Sequence, residues 1–170
     1  MTLSLSKLNR VLLALALMAT LSACGFKLRG SEGYNLPFHT IFLGFPENSP
    51  LGAELRRNLR SMDGLTIVSS AKGAEAQLDV VSETRGKTIL SLNGQGRVRE
   101  YLLTYVLVFK VRNAAGEELL GPTEIALKRN IAFNEDATLA KESEEALLIR
   151  DMQTHLVQQI LRRLAAIKPA

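Results

Sequence analysis

Cys24 is the only cysteine in the chain, and its surroundings indicate covalent chemistry at its sulfur. It follows an almost unbroken apolar run over residues 11–23, and Lys7 and Arg10 precede that run. A positive start, a short apolar stretch and small residues at its end are the anatomy of a secretory signal. The run is shorter than the ~20 apolar residues that a membrane-spanning helix needs. A lone thiol cannot form an internal disulfide, so an oxidising compartment gives it no structural role.

Residues 21–24, Leu-Ser-Ala-Cys, resemble the bacterial lipobox. This resemblance implies attachment of diacylglycerol to the Cys24 sulfur, cleavage after Ala23 and acylation of the new amino end. Each buried CH₂ contributes ~0.8 kcal/mol, so two or three acyl chains anchor a protein durably where one chain does not. In bacterial lipoproteins, an Asp directly after the cysteine usually signals retention in the inner membrane. Gly25 and Phe26 follow here, which implies transport to the outer membrane. The alternative is a plain secretory signal that leaves a free thiol.

Elsewhere the sequence holds no pattern that is typical of catalysis or metal binding. His39 and His155 lie far apart and lack the spacing of metal ligands. Serine, histidine and acidic residues occur without a nucleophile-elbow signature. Asp79 and Glu83 are expected to share one strand face and to face solvent. We therefore expect a protein that is not an enzyme, holds no metal and carries no cofactor beyond the acyl chains on Cys24.

Composition indicates one domain behind a tether. Removing residues 1–23 as a signal peptide takes away two basic residues, which leaves 19 basic against 17 acidic ones. This near balance gives no electrostatic footprint for nucleic acid. A chain of the remaining length can bury roughly 68–70% of its extended surface. Between residues 26 and 38, two glycines and a proline interrupt any helical or strand periodicity. We therefore predict a lipidated tether over residues 24–38 and a single domain over residues 39–170.

The domain is predicted to begin with a strand–helix–strand unit. Residues 40–45 alternate as a strand does, and Ser49 and Pro50 are typical of a helix cap and its first position. Leucines at helical spacing predict a helix over residues 51–62, which Gly64 ends. Residues 65–69 form the second strand, parallel to the first with a right-handed crossover.

Three long strands and a second helix follow. The strands span residues 76–92, 97–112 and 119–133, and Asn93-Gly94 predicts a type I′ turn between the first two. The middle strand is apolar on both faces, so both faces are expected to be covered. A helix over residues 138–167 should begin at capping residues 134–136. Its first turns carry Glu142, Glu144 and Glu145, and its last turn carries Arg162, Arg163 and Lys168. Its buried stripe is predicted to be Ile149, Met152, Leu156, Ile160, Leu164 and Ile167.

The predicted fold is therefore an α+β two-layer sandwich. A mixed β-sheet carries two helices on one face, and the order of the elements is β-α-β-β-β-β-α. The other sheet face then needs an explanation.

Several short motifs together resemble the LptE family of outer-membrane lipopolysaccharide-assembly lipoproteins. Residues 24–30, Cys-Gly-Phe-Lys-Leu-Arg-Gly, are similar to the opening of that family. The likeness continues through the Pro-Leu start of the first helix, the Asn93-Gly94-Gln95 turn before Glu100-Tyr101, and Leu139-Ala140-Lys141. It covers nearly the whole chain after the signal, with the same order of elements.

The resemblance implies a plug for the large LptD β-barrel. Members of the family form a one-to-one complex in which the domain lies inside the barrel lumen, and they help to deliver lipopolysaccharide to the outer leaflet. A sheet that is apolar on both faces but has helices on only one face suits burial in a partner. The alternative is that the tether or a neighbouring loop covers the second face.

The family also implies lipopolysaccharide-binding residues. A Lys at the start of the second helix matches Lys141. At the turn this sequence departs from the pattern, because Leu92 stands where relatives can carry Arg. Arg97 and Arg99 are then the candidates to replace it. We hypothesise that Lys141, Arg97 and Arg99 form a cationic patch for lipid A phosphates. Solvated surface charge is the alternative for each, and Arg56, Arg57 and Arg60 are a rival cluster.

Two other functions stay open from the sequence. One is an outer-membrane adaptor, such as a pilotin-like chaperone that escorts a different β-rich pore. The other is an anchored envelope hydrolase, for which the sequence offers no residues to name.

Overall fold

The computed structural model describes residues 34–168. The predicted signal and Cys24 lie outside the described residues. The order of the elements confirms the prediction: β1 (Thr40–Gly44), α1 (Pro50–Arg60), β2 (Thr66–Val68), β3 (Ala76–Leu92), β4 (Val98–Arg112), β5 (Glu118–Ala132) and α2 (Thr138–Ala165), with a 3-10 turn at Glu135–Ala137 before α2.

All five strands form one mixed sheet in the order β2-β1-β3-β4-β5. Strand β1 is parallel to both β2 and β3, whereas β3, β4 and β5 are antiparallel neighbours. The predicted parallel pairing of the first two strands is therefore confirmed. Strand β1 touches β3 only at its start, from Ala76 to Asp79.

Helix α1 begins as its sequence predicts and ends slightly earlier. The Gly52 amide donates to Ser49 Oγ over 3.1 Å, and Pro50 opens the helix. The last helical residue is Arg60, since the Ser61 amide caps the end by donating to earlier carbonyls. Gly64 lies beyond the helix, in the following turn, with φ of 76°.

Helix α2 differs from its prediction at the amino end. Its N-cap is Ala137, which makes no side-chain capping bond, because residues 135–137 turn as a 3-10 helix instead. The first turn holds no acidic residue, whereas Arg162 and Arg163 occupy the last turn as predicted. Of the six residues predicted for the buried stripe, Ile149 is only partly buried. The other five are buried: Met152, Leu156, Ile160, Leu164 and Ile167.

The two long hairpins close through the same five-residue loop, which corrects the predicted type I′ turn. The Asn93 carbonyl accepts from the Gly96 amide, and Gly96 rather than Gly94 has positive φ. Residues 113–117 repeat this arrangement, with positive φ at Gly116. In each loop, the asparagine Oδ1 accepts amide hydrogens two and four residues further on. The Asn-x-x-Gly spacing, and not Asn-Gly, therefore specifies the turn.

A bulge in β3 overturns the prediction that Asp79 and Glu83 share one face. Val80 pairs with Phe109 and Ser82 pairs with Val108, so Val81 is an extra residue. Such a residue shifts the side chains that follow, here as far as Ile89, to the other face of the sheet. Asp79 therefore lies on one face and Glu83 on the opposite one.

The core lies between the two helices and one sheet face. Leu103, Leu107 and Phe109 of β4 are buried there together with the apolar stripes of both helices. Phe38 is also buried, and Tyr34 and Leu36 pack against the same core. On the opposite side, β4 carries Leu102, Thr104, Val106 and Val108, which are only partly buried. We call this side the helix-free face, and no element within residues 34–168 covers it.

Candidate functional site

The three predicted cationic residues lie at one end of the molecule. Arg97 is the last residue of the β3–β4 loop. It forms an ion pair with Glu135, with 3.2 Å between Arg97 Nη1 and Glu135 Oε2. The Arg99 carbonyl accepts from the Phe133 amide, just after β5. Lys141 lies in the first turn of α2. We call this region, residues 82–108 and 126–150, the distal end. Strands β1 and β2, α1 and residues 151–165 form the proximal end.

Carboxylates already balance two of the three predicted charges. Besides the Arg97 pair, Lys141 Nζ lies 2.8 Å from Glu144 Oε2 on the same helix. Arg99 is exposed, and its side chain has no polar partner within residues 34–168. The structure therefore brings the three residues to one end, but no hydrogen bond or ion pair among the described residues joins them to one another.

A second charged group, which sequence reasoning missed, lies on β3. Glu83, Arg85 and Lys87 pair with Leu107, Tyr105 and Leu103 of β4, whose side chains are buried in the core face. The three charged side chains therefore point towards the helices. Because these three residues are spaced two apart in a strand, the sequence alone could have predicted that they share one face. The bulge at Val81 decides which face that is.

Glu83 and Arg85 are held through the phenol of Tyr105. The Tyr105 hydroxyl donates to Glu83 Oε1 over 2.6 Å, and Arg85 Nη2 donates to the same hydroxyl over 2.8 Å. Arg85 also forms an ion pair with Glu83 at 3.0 Å. Burial, followed by the hydrogen bond to Glu83, raises the pKa of Tyr105 above its ordinary value. The phenol therefore stays protonated and bridges the two charged groups.

Lys87 links β3 to the first half of α2. Its Nζ lies 2.5 Å from Glu145 Oε2 and 4.4 Å from the centre of the Tyr101 ring. The Tyr101 ring in turn meets Phe133 edge to face, at 5.3 Å between centroids. A cation over an aromatic face contributes about 0.5–1 kcal/mol at an exposed site.

A small cavity lies between this charged group and α2, beside the Lys87–Glu145 contact. Its volume is about 170 Å³, and its apolar walls include Leu103, Ile149 and Met152. Arg85 and Lys87 also line it, each with about two fifths of its side chain exposed. Both cations are already paired, Arg85 with Glu83 and Lys87 with Glu145, and Glu145 also lines the cavity.

The rival cations lie elsewhere. Arg56, Arg57 and Arg60 belong to α1 at the proximal end. Within residues 34–168, the one polar partner of their side chains is the Phe45 carbonyl, which lies 3.5 Å from Arg56 Nη2. Within residues 34–168, no group of three His, Cys, Asp or Glu residues is placed to hold a metal ion. No helix in that part of the chain is long and apolar enough to cross a membrane.

In the part of the chain that the structure describes, these features define a two-layer α+β module with one uncovered sheet face and one charged, loosely packed end. A family model described as LptE, lipopolysaccharide-assembly, matches residues 38–164, and the chain belongs to this family. The resemblance noted from the sequence motifs is thus confirmed.

Relatives and solved structures agree with this assignment. The chain is 27% identical to an LPS-assembly lipoprotein LptE from Pectobacterium atrosepticum over 95% of its own length and 86% of that protein. It is 39% identical to lipoprotein B of Nitrosomonas europaea, with a TM-score of 0.72 over 84% of this chain and 91% of that one. Rare lipoprotein B of Shewanella oneidensis gives 27% identity and a TM-score of 0.65, over 75% and 94%. These structures confirm the predicted fold class.

Proposed function

We propose that this protein is an outer-membrane lipoprotein that plugs and stabilises an LptD-type β-barrel and binds lipopolysaccharide during its assembly at the cell surface. Acyl chains on Cys24 anchor it to the membrane. The observation that carries the proposal is the helix-free face. Leu102, Val106 and Val108 form an apolar stripe on β4 that the described residues leave uncovered. An uncovered apolar patch on a folded domain marks a surface for a partner.

Family membership makes a barrel the preferred partner. The domain would occupy the barrel lumen in a one-to-one complex, with the helix-free face against barrel elements. Relatives are named LPS-assembly lipoproteins, which agrees with a role in binding and assembly rather than in catalysis.

The distal end supports lipopolysaccharide binding in this proposal. Lipid A phosphates are strong acceptors for Arg and Lys. Arg99 is exposed without a polar partner in residues 34–168, whereas Arg97 and Lys141 would exchange the carboxylates of Glu135 and Glu144 for phosphate. Exposed ion pairs of this kind contribute only about 0–1 kcal/mol, so their exchange costs little.

Purification of the full-length protein from outer membranes tests the first part of the proposal. We expect a stoichiometric complex with one very large barrel, and an amino-terminal peptide whose mass shows acylated Cys24. Recovery of a secretin instead would favour the pilotin-like role. An unmodified monomer without any barrel would contradict the proposal.

Matched triple variants test the binding of lipopolysaccharide. Replacing Arg97, Arg99 and Lys141 with Ala should weaken binding of labelled lipopolysaccharide by at least about ten-fold, because three charge-assisted contacts are lost. The melting temperature should stay nearly unchanged, because Arg97 and Arg99 are exposed and the partly buried Lys141 is paired with the half-exposed Glu144. The control replaces Arg56, Arg57 and Arg60 with Ala and removes the same charge. Equal binding by both variants would reject the patch.

A further inference from the structure

Beyond Asp79, the outer side of β3 is a long strand edge that has no neighbouring strand among the described residues. Strand β1 pairs with β3 from Ala76 to Asp79 and then leaves at Gly44. Within residues 34–168, the following residues of β3, 80–92, pair only with β4 on the other side. At 3.3 Å per residue, this edge is roughly 40 Å long. Half of its amide and carbonyl groups therefore point away from the sheet.

This edge is protected differently from the other edges: it has a bulge at Val81 and charged side chains directed towards the helices, but residues 80–92 contain no proline. Strand β2 is only three residues long, and β5 carries Gly121-Pro122 and the charged pair Lys128-Arg129. Short strands, proline and charge all discourage pairing with another strand. On β3, contacts with Tyr105, Tyr101 and Glu145 hold the charged side chains towards the helices. The alternate residues on the helix-free side are uncharged and exposed: Ser82, Thr84, Gly86 and Thr88.

A cleft lies at the point where β1 departs. It has a volume of about 520 Å³ and lies between the loop before α1 and residues 80–83 of β3. Pro46, Pro50 and Val81 line it, and Val81 is 56% exposed. Because these β3 residues directly follow the segment that pairs with β1, a strand added along the free edge would pass this cleft. An apolar side chain of that strand would fill it.

We propose that residues 80–92 of β3 accept an extended segment of the barrel partner as an additional strand, anchored by an apolar side chain in the Val81 cleft. The inference rests on the proposed function and adds the mode of contact. In strand addition, main-chain hydrogen bonds give affinity and side-chain pockets give specificity.

A second copy of this chain fits the edge poorly. Antiparallel pairing of two such edges over their full length would be centred on Gly86. Arg85 of one copy would then face Lys87 of the other copy. Like charges directly opposite each other destabilise a strand pair. The edge therefore suits a different polypeptide.

Hydrogen exchange followed by mass spectrometry tests the pairing, on the lipoprotein alone and on its isolated complex with the barrel. In the complex, about half of the amides in residues 81–91 should exchange at least ten-fold more slowly, because they gain strand partners. The outer edge of β5 is the internal control and should change much less. Slowing of both edges alike would reflect general enclosure and would overturn the proposal.

The other outcomes are also decisive. A stable complex with unchanged exchange in β3 would overturn the added strand and leave the plug function standing. Failure to form any complex would overturn both. Protection of the β3 edge in the lipoprotein alone, increasing with its concentration, would indicate self-pairing and overturn the proposal.

A variant pair tests the cleft. Val81→Asp places a charge where the apolar side chain should lie and should weaken barrel binding by at least about ten-fold. Ala114→Asp adds the same charge at an exposed position in the β4–β5 turn and should bind as the wild type does. Thermal melting of the free proteins shows that both variants fold. Equal barrel binding by both variants would overturn the anchor.

Discussion

The proximal and distal ends of this molecule share one sheet and one long helix but differ in packing. At the proximal end, β1, α1 and the second half of α2 bury their apolar side chains almost completely. Within residues 34–168, five of the six large apolar side chains that are exposed lie at the distal end: Ile89, Leu90, Leu92, Leu139 and Leu147. The sixth, Val81, directly precedes that region. The difference indicates that the proximal end contributes most of the stability of the fold, whereas the distal end exposes apolar side chains to its surroundings.

Helix α2 shows the difference within one element. Its last turns bury Leu156, Ile160 and Leu164, whereas Leu139 and Leu147 near its start are 80% and 64% exposed. Among the described residues, the Lys87–Glu145 ion pair and the partly buried Leu148 hold the first three turns of the helix to the sheet. The cavity beneath this half follows from the same loose packing.

The largest expected effect is at the proximal core. Leu156→Ala removes a fully buried side chain and should lower the free energy of unfolding by about 2–5 kcal/mol. Leu147→Ala, on the same helix but mostly exposed, should change it by less than about 0.5 kcal/mol. Urea denaturation of both variants measures the difference. Similar losses would show that the two halves of α2 are packed alike, which contradicts the comparison.

Two glycines sharpen the comparison further. A Cβ on Gly52 would lie 2.6 Å from the Phe45 Cβ, and one on Gly86 would lie 2.6 Å from Thr104 Oγ1. Phe45 is fixed in the core, so Gly52→Ala should cost about 1–3 kcal/mol. The Thr104 hydroxyl can rotate away, so Gly86→Ala should be near neutral. Thermal melting separates the two cases, and equal losses would indicate that the distal end is as rigid as the core.

A smaller effect is expected at the start of α1. Ser49→Ala removes the acceptor for the Gly52 amide and should cost about 1 kcal/mol. Thr138 at the start of α2 donates to the Glu135 carbonyl and caps no helix amide, so Thr138→Ala should cost less. Denaturation midpoints compare the two. A larger loss from the α2 variant would mean that the distal helix start contributes more to stability than its packing indicates.

The smallest effect concerns pH. Because the pKa of Tyr105 is higher in the folded protein than its ordinary value of 10.0, its contribution to stability is complete below pH 10 and is lost as the pH rises through the folded pKa. Replacing Glu83 with Gln removes one cause and should bring the Tyr105 titration closer to 10, although burial still raises it. Ultraviolet titration of phenolate, with Tyr105→Phe to identify the signal, measures this. An unchanged titration would show that burial alone raises the pKa of Tyr105 and that Glu83 does not contribute.

Local sequence signals predict most of the fold. Alternation in the strands, the Ser49-Pro50 start of α1 and the apolar stripe of α2 act over a few residues, so the sequence displays them directly. The bulge at Val81 escapes such reasoning, because it depends on how β3 registers against β4. The assignment of Glu83 to the wrong side of the sheet follows from that single residue.

The candidate site was predictable only in part. The family resemblance selected Arg97, Arg99 and Lys141, and the topology places them at one end, but their role in binding stays a prediction. Arg85 and Lys87 were missed, since charged residues in a strand are normally expected to face solvent. Only the contacts with Tyr105, Tyr101 and Glu145 show why these charges can face the helices.

Photo-crosslinking in living cells tests the central claim most directly, with the crosslinking amino acid placed at Val106 in the middle of the helix-free face. The account predicts an adduct between this residue and one very large outer-membrane barrel. An adduct with the chain's own residues 24–33, and none with a barrel, would show that the tether covers this face and would contradict the account.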